Sequence, residues 1–372
     1  MLQLEAAVAQ ILAALPPPAS EMVPLDQAQG RVLSEPVRSA IDLPPFDNSS
    51  MDGYAVRAED VAAAGPEKPV RLRLAGRVPA GAAGTVEVTA GTCVRLFTGS
   101  ALPRGADAVV MQEDTRTDPG SATEVAILDR AAPWENVRLR GEDVKRGDVL
   151  AEAGEEITVG RLSLLAATGL ARVSVGRRPS VGLLATGSEL REANQPLAPG
   201  QIYESNRAGL AALTLRAGGI AKVFPLVPDE AAATRRALTE AFEHCDAVVT
   251  SGGVSVGEFD LVKGVFQELG GELEFWRVAI RPGRPFVFGR WGRKFLFGLP
   301  GNPVSALVTF LLLVRPALRR WQGASDLSLP ARPGVLAEPL TNRGERRHFV
   351  RVRLARDGQV FSAGLQASHA LS

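Results

Sequence analysis

The sequence predicts a multidomain α/β plus β protein, with a central doubly wound α/β domain between a β-rich N-terminal region and a small C-terminal β-domain. Three observations predict it. Over 177–325, strand-like and helix-like segments alternate, and the strand segments are apolar throughout, as in a parallel sheet covered on both faces. Residues 41–155 are instead short apolar stretches set between Gly, Pro and Asp turns. Beyond Pro333 the chain turns β-like again, and His348–Leu354 alternates apolar with polar or basic residues. The expected boundaries are 1–176 for the N-terminal region, made of a helical linker part and an inserted β-rich subdomain at about 50–140. The α/β domain follows at 177–325 and the C-terminal β-domain at 332–372. That last segment is near the ~40-residue limit for unaided folding and is expected to be incomplete.

Leu4, Val8, Ile11, Leu12 and Leu15 share a helical face, and Pro16-Pro17-Pro18 stops that helix. Strands are expected at Val70–Leu74, Thr92–Phe97 and Ala108–Gln112, and a helix over 156–172. In the α/β domain the expected order is strand Val181–Ala185, helix 206–218, strand Lys222–Val227, helix 229–243, strand Asp246–Thr250 and helix 260–269. Strands near 285–289 and 295–299 then lead into helix Pro303–Trp321.

Composition narrows the function classes. Apolar residues make up 45% and charged residues 22% of 372, ordinary for a globular protein. A net charge of +1 excludes a global electrostatic footprint for nucleic acid or an acidic membrane surface. The two cysteines, Cys93 and Cys245, form no C-x-x-C, so they are expected to be reduced, buried thiols in a cytoplasmic protein. The N-terminus has no basic n-region, and no apolar run approaches the roughly 20 residues of a membrane helix.

Ligands of open α/β sheets bind beyond the carboxyl ends of the strands. Three of those ends are unusual: Ala185-Thr186-Gly187-Ser188-Glu189, Ser251-Gly252-Gly253-Val254-Ser255-Val256-Gly257, and Gly298-Leu299-Pro300-Gly301-Asn302-Pro303. Each offers glycines that let backbone N–H groups approach a ligand, and each precedes a helix, whose N-terminus favours an anion. One such turn is an ordinary connection; three on one sheet edge point to a phosphorylated, anionic ligand. Neither a P-loop nor a G-x-G-x-x-G is present.

Glu189, Asp229 and Asp260 follow strands near that edge. Carboxylates beside an anion repel it unless a cation such as Mg²⁺ bridges them, with helix N-capping as the alternative for Asp229 and Asp260. Arg277, Arg281 and Arg284 form one basic cluster, and Arg138 and Arg140 another; guanidinium forks suit oxyanions, and solvated faces are the plain alternative. The run Leu43–Ala55 (LPPFDNSSMDGYA) is a rigid polar loop with more potential ligand-bonding side chains than a turn requires, and Thr98-Gly99-Ser100 is a second polar turn. Gly253–Gly257 also matches G-x-S-x-G, which makes Ser255 a candidate acyl-transfer nucleophile with His348 or His369 as base; its distance from Thr250 fits a nucleophile elbow poorly.

Together, Pro44–Ala55, Thr98–Glu113 (TGSALPRGADAVVMQE), Asn136–Asp143, Thr186–Leu190, Ser251–Asp260 (SGGVSVGEFD) and Gly298–Ala306 (GLPGNPVSA) are familiar in this order. Over essentially its whole length the chain resembles the molybdopterin molybdenumtransferases, the MoeA family, which includes the E domain of gephyrin. The resemblance implies that the α/β domain binds molybdopterin. It also implies insertion of molybdate into adenylated molybdopterin, with Mg²⁺-assisted release of AMP, as the last step of molybdenum cofactor biosynthesis. It implies a homodimer with a shared active site, admits other cofactor-biosynthesis enzymes as partners, and excludes nucleic acid and membrane.

Carried over by motif, Thr186, Ser251, Gly252, Gly253, Ser255 and Gly257 would hold the phosphate and pterin. Glu189 and Asp260 would serve the metal and nucleotide, with Asp229 beside them. Asp52, Thr98, Arg138 and Asp143 would face them near the molybdate, Arg277 and Arg281 would flank the anion, and Asn302 and Pro303 would shape the pocket. The sequence departs from the family pattern at 277 and 281, often Lys, at Ser188, often Asp, and in ending at Ser372 inside the final motif. A non-catalytic scaffold of the gephyrin type is the remaining alternative, disfavoured by the retained anion-site residues in all three loops.

Overall fold

A computed structural model describes residues 1–82, 85–117, 123–254, 261–342 and 344–371. The chain divides into two compact units. One comprises Met1–Glu35, Glu152–Leu162 and Ala171–Ser372; the other comprises Pro36–Ala151 and Ser163–Leu170.

The larger unit opens with helix α1 (Leu4–Ala14), whose buried face is Leu4, Ala7 and Ile11. In the smaller unit, strands β1 (Gly53–Val56), β2 (Val70–Val78), β3 (Thr92–Leu96), β4 (Ala108–Met111), β5 (Thr115–Thr117) and β6 (Glu124–Ile127) make one sheet in the order β4-β1-β3-β2-β6-β5. The apolar stretches read from the sequence are two of its central strands, β2 and β3, and its edge strand β4. Their side chains alternate between two clusters: Tyr54, Val56 and Val110 lie in one, and Ala55, Val94 and Val109 in the other. The sheet is therefore buried on both sides.

The α/β core of the larger unit runs β7 (Ser180–Ala185), α2 (Asn206–Arg216), β8 (Ile220–Val223), α3 (Ala231–His244), β9 (Ala247–Ser251), α4 (Leu261–Glu268), β10 (Glu272–Arg277), β11 (Ile280–Arg281), β12 (Pro285–Trp291), β13 (Lys294–Leu299), α5 (Pro303–Thr309) and α6 (Arg315–Trp321). The sheet order is β8-β7-β9-β13-β12-β10. Strand residues alternate between two cores. Val181, Leu183, Val249, Phe295 and Phe297 pack with α1, α2, α5 and α6, whereas Leu184, Val248 and Leu296 pack with α3 and α4. Coverage of both faces explains why these strands read as continuous apolar runs.

Three expectations need correction. The sheet is mixed rather than parallel: β7, β8, β9 and β13 are parallel, but β12 and β10 are antiparallel additions. The connection between β12 and β13 is a tight hairpin through Gly292, whose φ of 62° suits glycine, and a tight turn cannot join parallel strands. The strand expected at Lys222–Val227 is Ile220–Val223, because Pro225 and Pro228 lack the N–H groups that would extend the ladder. Glu272–Arg277, where no strand is expected and only Arg277 is singled out, is a full edge strand. Helix Pro303–Trp321 is continuous but carries a π-helical turn at Phe310–Val314, just before Pro316, which has no N–H for the ladder.

The C-terminal segment is built from β14 (Val335–Leu336), β15 (Arg347–His348), β16 (Val352–Leu354) and β17 (Gln359–Ser362). Strand β15 pairs with β11, placing His348 opposite Arg281. The Ser368 carbonyl accepts from the Val304 amide (3.0 Å) and its hydroxyl from the Asn302 amide nitrogen (3.0 Å), so the tail closes over the start of α5.

Candidate functional site

Two adjoining cavities lie at the carboxyl ends of β7, β9 and β13. The first, about 520 Å³, is lined by all three glycine-rich turns: Thr186, Gly187 and Glu189 from one, Ser251, Gly252 and Gly253 from another, and Gly301, Asn302 and Pro303 from the third, with Asp229 beside them. Eight residues expected at the site therefore meet here. The second cavity, also about 520 Å³, is lined by Arg281, Arg284, Arg346, His348 and Arg351. Gly253, Gly301, Asn302 and His369 line both, so the two are continuous.

The glycines are required by close approach. Gly252 has φ 93°, and a Cβ there would stand 2.6 Å from the Thr186 carbonyl oxygen and 2.9 Å from its hydroxyl. Gly253, at φ 67°, likewise approaches the Thr186 hydroxyl at 2.9 Å. These are left-handed conformations that side chains disfavour. Beneath them the Thr186 Oγ1 is buried without a hydrogen-bond partner among the described residues. A buried hydroxyl left without a partner is uncommon, and this one lies directly under the glycine turn.

Asn206, at the start of α2, was not anticipated. Its Nδ2 donates to the Ser251 hydroxyl (2.6 Å) and to the Gly301 carbonyl (2.7 Å), tying two of the three turns together. Its signal in the sequence is Glu204-Ser205-Asn206, a polar cluster opening a helix, which also serves ordinary helix starts. Asp229 is no helix cap: Glu230 occupies that position, and the Asp229 carboxylate accepts from the Ser188 amide (2.9 Å) while the Ser188 hydroxyl accepts from the Asp229 amide (3.0 Å). This reciprocal pair fixes the first turn against the segment after β8. Glu189 is exposed in the cavity lining.

The second cavity is strongly cationic. The side chains of Arg281 and Arg284 make no hydrogen bond or ion pair among the described residues, whereas that of Arg351 donates to the Leu365, Ala367 and Ala370 carbonyls and pins the tail. Burial first, then the charges of Arg281 and Arg346, holds His348 below its usual range and hence neutral near pH 7. Arg277 lines neither cavity. It ends β10 and stacks on Trp276, its guanidinium carbon 3.7 Å from the ring centroid. The four-residue spacing to Arg281 therefore gives no common face, because the two arginines sit on different strands.

In the smaller unit, the Asp52 carboxylate accepts from the Thr98 amide (2.7 Å) and hydroxyl (2.9 Å). Those bonds, with the charge of Arg95, hold its pKa below the usual carboxylate range. Arg138 is exposed on a two-residue strand paired with Asn48–Ser49, and the Asp143 amide donates to Leu43. Much of the polarity of the 43–55 run serves the loop itself. Buried Asn48 donates to the Phe46 carbonyl and buried Ser49 to the Met51 carbonyl. Ser255, Gly257 and Asp260 lie outside the described residues. Among the described residues no three His, Cys, Asp or Glu side chains gather as a metal site. Among the described residues, neither His348 nor His369 is hydrogen-bonded to a carboxylate that would orient it as a catalytic base. Among the described residues no helix is long and apolar enough to cross a membrane.

Comparison with known proteins decides the family. Residues 2–169 match the MoeA N-terminal region (domain I and II), and residues 182–320 match a probable molybdopterin binding domain. The molybdopterin molybdenumtransferase of Haemophilus influenzae is 39% identical over 100% of this chain and 92% of its own. The chain belongs to the molybdopterin molybdenumtransferase family. A Mycobacterium tuberculosis member, molybdopterin molybdenumtransferase 2, is 42% identical over 94% of this chain and 87% of its own. The MoeA crystal structure from Pyrococcus horikoshii superposes with a TM-score of 0.81, at 31% identity, over 100% of this chain and 92% of that one. Membership makes the chain a transferase of molybdenum cofactor biosynthesis and leaves a serine hydrolase or a pure scaffold without support.

Proposed function

We propose that this chain, in the cytoplasm, inserts molybdate into adenylated molybdopterin and releases AMP, the last step of cofactor synthesis. What supports this reading is the continuity of the two cavities through Gly253, Gly301, Asn302 and His369. One side offers a glycine cradle suited to a phosphorylated ligand; the other offers unpaired guanidiniums suited to a compact dianion.

In this reading the Thr186 hydroxyl and the Gly252-Gly253 turn bind the phosphate side of the substrate. Asn206 holds the Ser251 and Gly301 turns at a fixed spacing. Arg281 and Arg284 neutralise the incoming oxyanion, and neutral His348 adds no competing charge. Catalysis is by positioning and charge neutralisation, without a protein nucleophile.

The residues fit a Mg²⁺ ion that shares its shell with substrate phosphate, because Glu189 is an exposed carboxylate in the same lining as the orphaned Thr186 hydroxyl. Glu189 would hold it with Asp260, assigned by motif alone; when bound it supplies charge neutralisation for the leaving phosphate. A homodimer would bring Asp52, Thr98, Arg138 and Asp143 of one subunit to the cavities of the other. The test is incubation with adenylated molybdopterin, Mg²⁺ and molybdate. AMP should form in a molybdate-dependent manner, and AMP release indifferent to molybdate would contradict the proposal.

A further inference from the structure

A third cavity of the larger unit shares no lining residue with the two just described. It measures about 160 Å³, under a third of either, and is lined by Arg31, Arg178, Arg216 and Glu156 around Gly30 and Gly218. We infer that it is a second, separate anion site, built by Arg31, Arg178 and Arg216 to take one small tetrahedral oxyanion of the phosphate or sulfate class.

The cavity wall carries more positive charge than the neighbouring carboxylates balance. Arg31 is only 9% exposed, and its Nε is buried with no partner among the described residues. One of its terminal nitrogens forms an ion pair with the Glu21 carboxylate (2.5 Å), which lies outside the cavity lining, and donates to the Gly176 carbonyl (2.8 Å); Nε and the other terminal nitrogen have no partner among the described residues. Arg178 donates from Nε to the Gly218 carbonyl and from Nη2 to the Gly219 carbonyl, both at 2.8 Å. Those carbonyls hold the guanidinium in place without neutralising it. Arg178 is pushed below its ordinary pKa first by burial and then by the neighbouring charge of Arg31. The Arg216 side chain, exposed at the end of α2, makes no ion pair or hydrogen bond among the described residues. The one carboxylate in the lining, Glu156, is already paired with Arg319 at 2.9 Å.

Glu21 balances Arg31, but Arg178 and Arg216 have no carboxylate partner among the described residues, and an anion entering the cavity offsets that charge. Planar forks with unused donors select an oxyanion over a halide. The volume excludes an adenylated pterin.

The test uses the full chain with Arg281→Ala, which removes a cation from the larger basic cavity, and titrates inorganic phosphate by calorimetry at low, constant ionic strength. Saturable phosphate binding should persist. Adding Arg216→Ala, or Arg216→Gln should the alanine variant fold poorly, should weaken it about tenfold or more, the loss of one charge-assisted contact. Chloride at equal ionic strength should not compete. The inference is overturned if phosphate binding vanishes with Arg281→Ala alone, if it is indifferent to both Arg216 substitutions, or if chloride competes as well as sulfate.

Discussion

Replacing Asn206 by alanine removes the amide that bridges Ser251 Oγ at 2.6 Å and Gly301 O at 2.7 Å. A typical intramolecular hydrogen bond contributes about 0.5–1.5 kcal/mol net, so the pair represents about 1–3 kcal/mol. Ser251 is only 2% exposed, so its hydroxyl is poorly placed to recover the bond from solvent. Because the amide joins two turns rather than one, the loss should appear mainly in the spacing of the cradle and therefore in ligand affinity. At about 1.4 kcal/mol per factor of ten, Asn206→Ala should weaken binding of adenylated molybdopterin by about tenfold to a hundredfold. Substrate titration against wild type, with far-ultraviolet circular dichroism as a check on the fold, measures this. A well-folded variant whose affinity stays within about twofold of wild type would refute the claim that Asn206 sets the cradle.

Gly252→Ala places a methyl 2.6 Å from the Thr186 carbonyl at a φ of 93°; it should cost about 1–3 kcal/mol in stability and abolish detectable substrate binding, read by thermal melting and titration. Asp52→Asn keeps an acceptor for Thr98 but removes the charge, so molybdate-dependent AMP release should fall while the melting temperature holds; the opposite pattern would make Asp52 purely structural. Asp246 accepts from Arg177 and from the Ser180 amide and hydroxyl. Burial pushes its pKa up, but these partners pull it further down, below the ordinary value. A depressed carboxylate stabilises the fold above its unfolded pKa of about 4 and loses that contribution as pH falls through the lowered value. Asp246→Asn should therefore lower stability at neutral pH and flatten the acid limb of a stability–pH curve; an unchanged limb would show that Asp246 is not the titrating group.

The glycine-rich strand ends were legible because backbone close to backbone or ligand leaves a mark in the sequence: only glycine serves at 252 and 253. The doubly covered sheet was legible too, since burial on both faces makes its strands apolar at every position. The edge strand Glu272–Arg277 was not, because only one of its residues, Phe275, is buried, and Glu272, Glu274 and Arg277 break up its apolar pattern. Arg346 and Arg351 were missed for a different reason. They join the basic cavity only because β15 pairs with β11, a contact between segments over sixty residues apart that no local pattern announces. Asp229 showed the opposite failure: a plausible local role as a helix cap gave way to a tertiary partner, Ser188.

In the proposed reaction labour is divided between two joined cavities, with Glu189 on the nucleotide side and Arg281 on the oxyanion side. Single-turnover AMP release as a function of molybdate concentration, in wild type, Glu189→Gln and Arg281→Ala, tests that division directly. Glu189→Gln should lower the rate at saturating molybdate with little change in the molybdate midpoint. Arg281→Ala should raise the midpoint about tenfold or more with little change in the saturating rate. Identical profiles for the two variants, or a midpoint shift confined to Glu189→Gln, would contradict it.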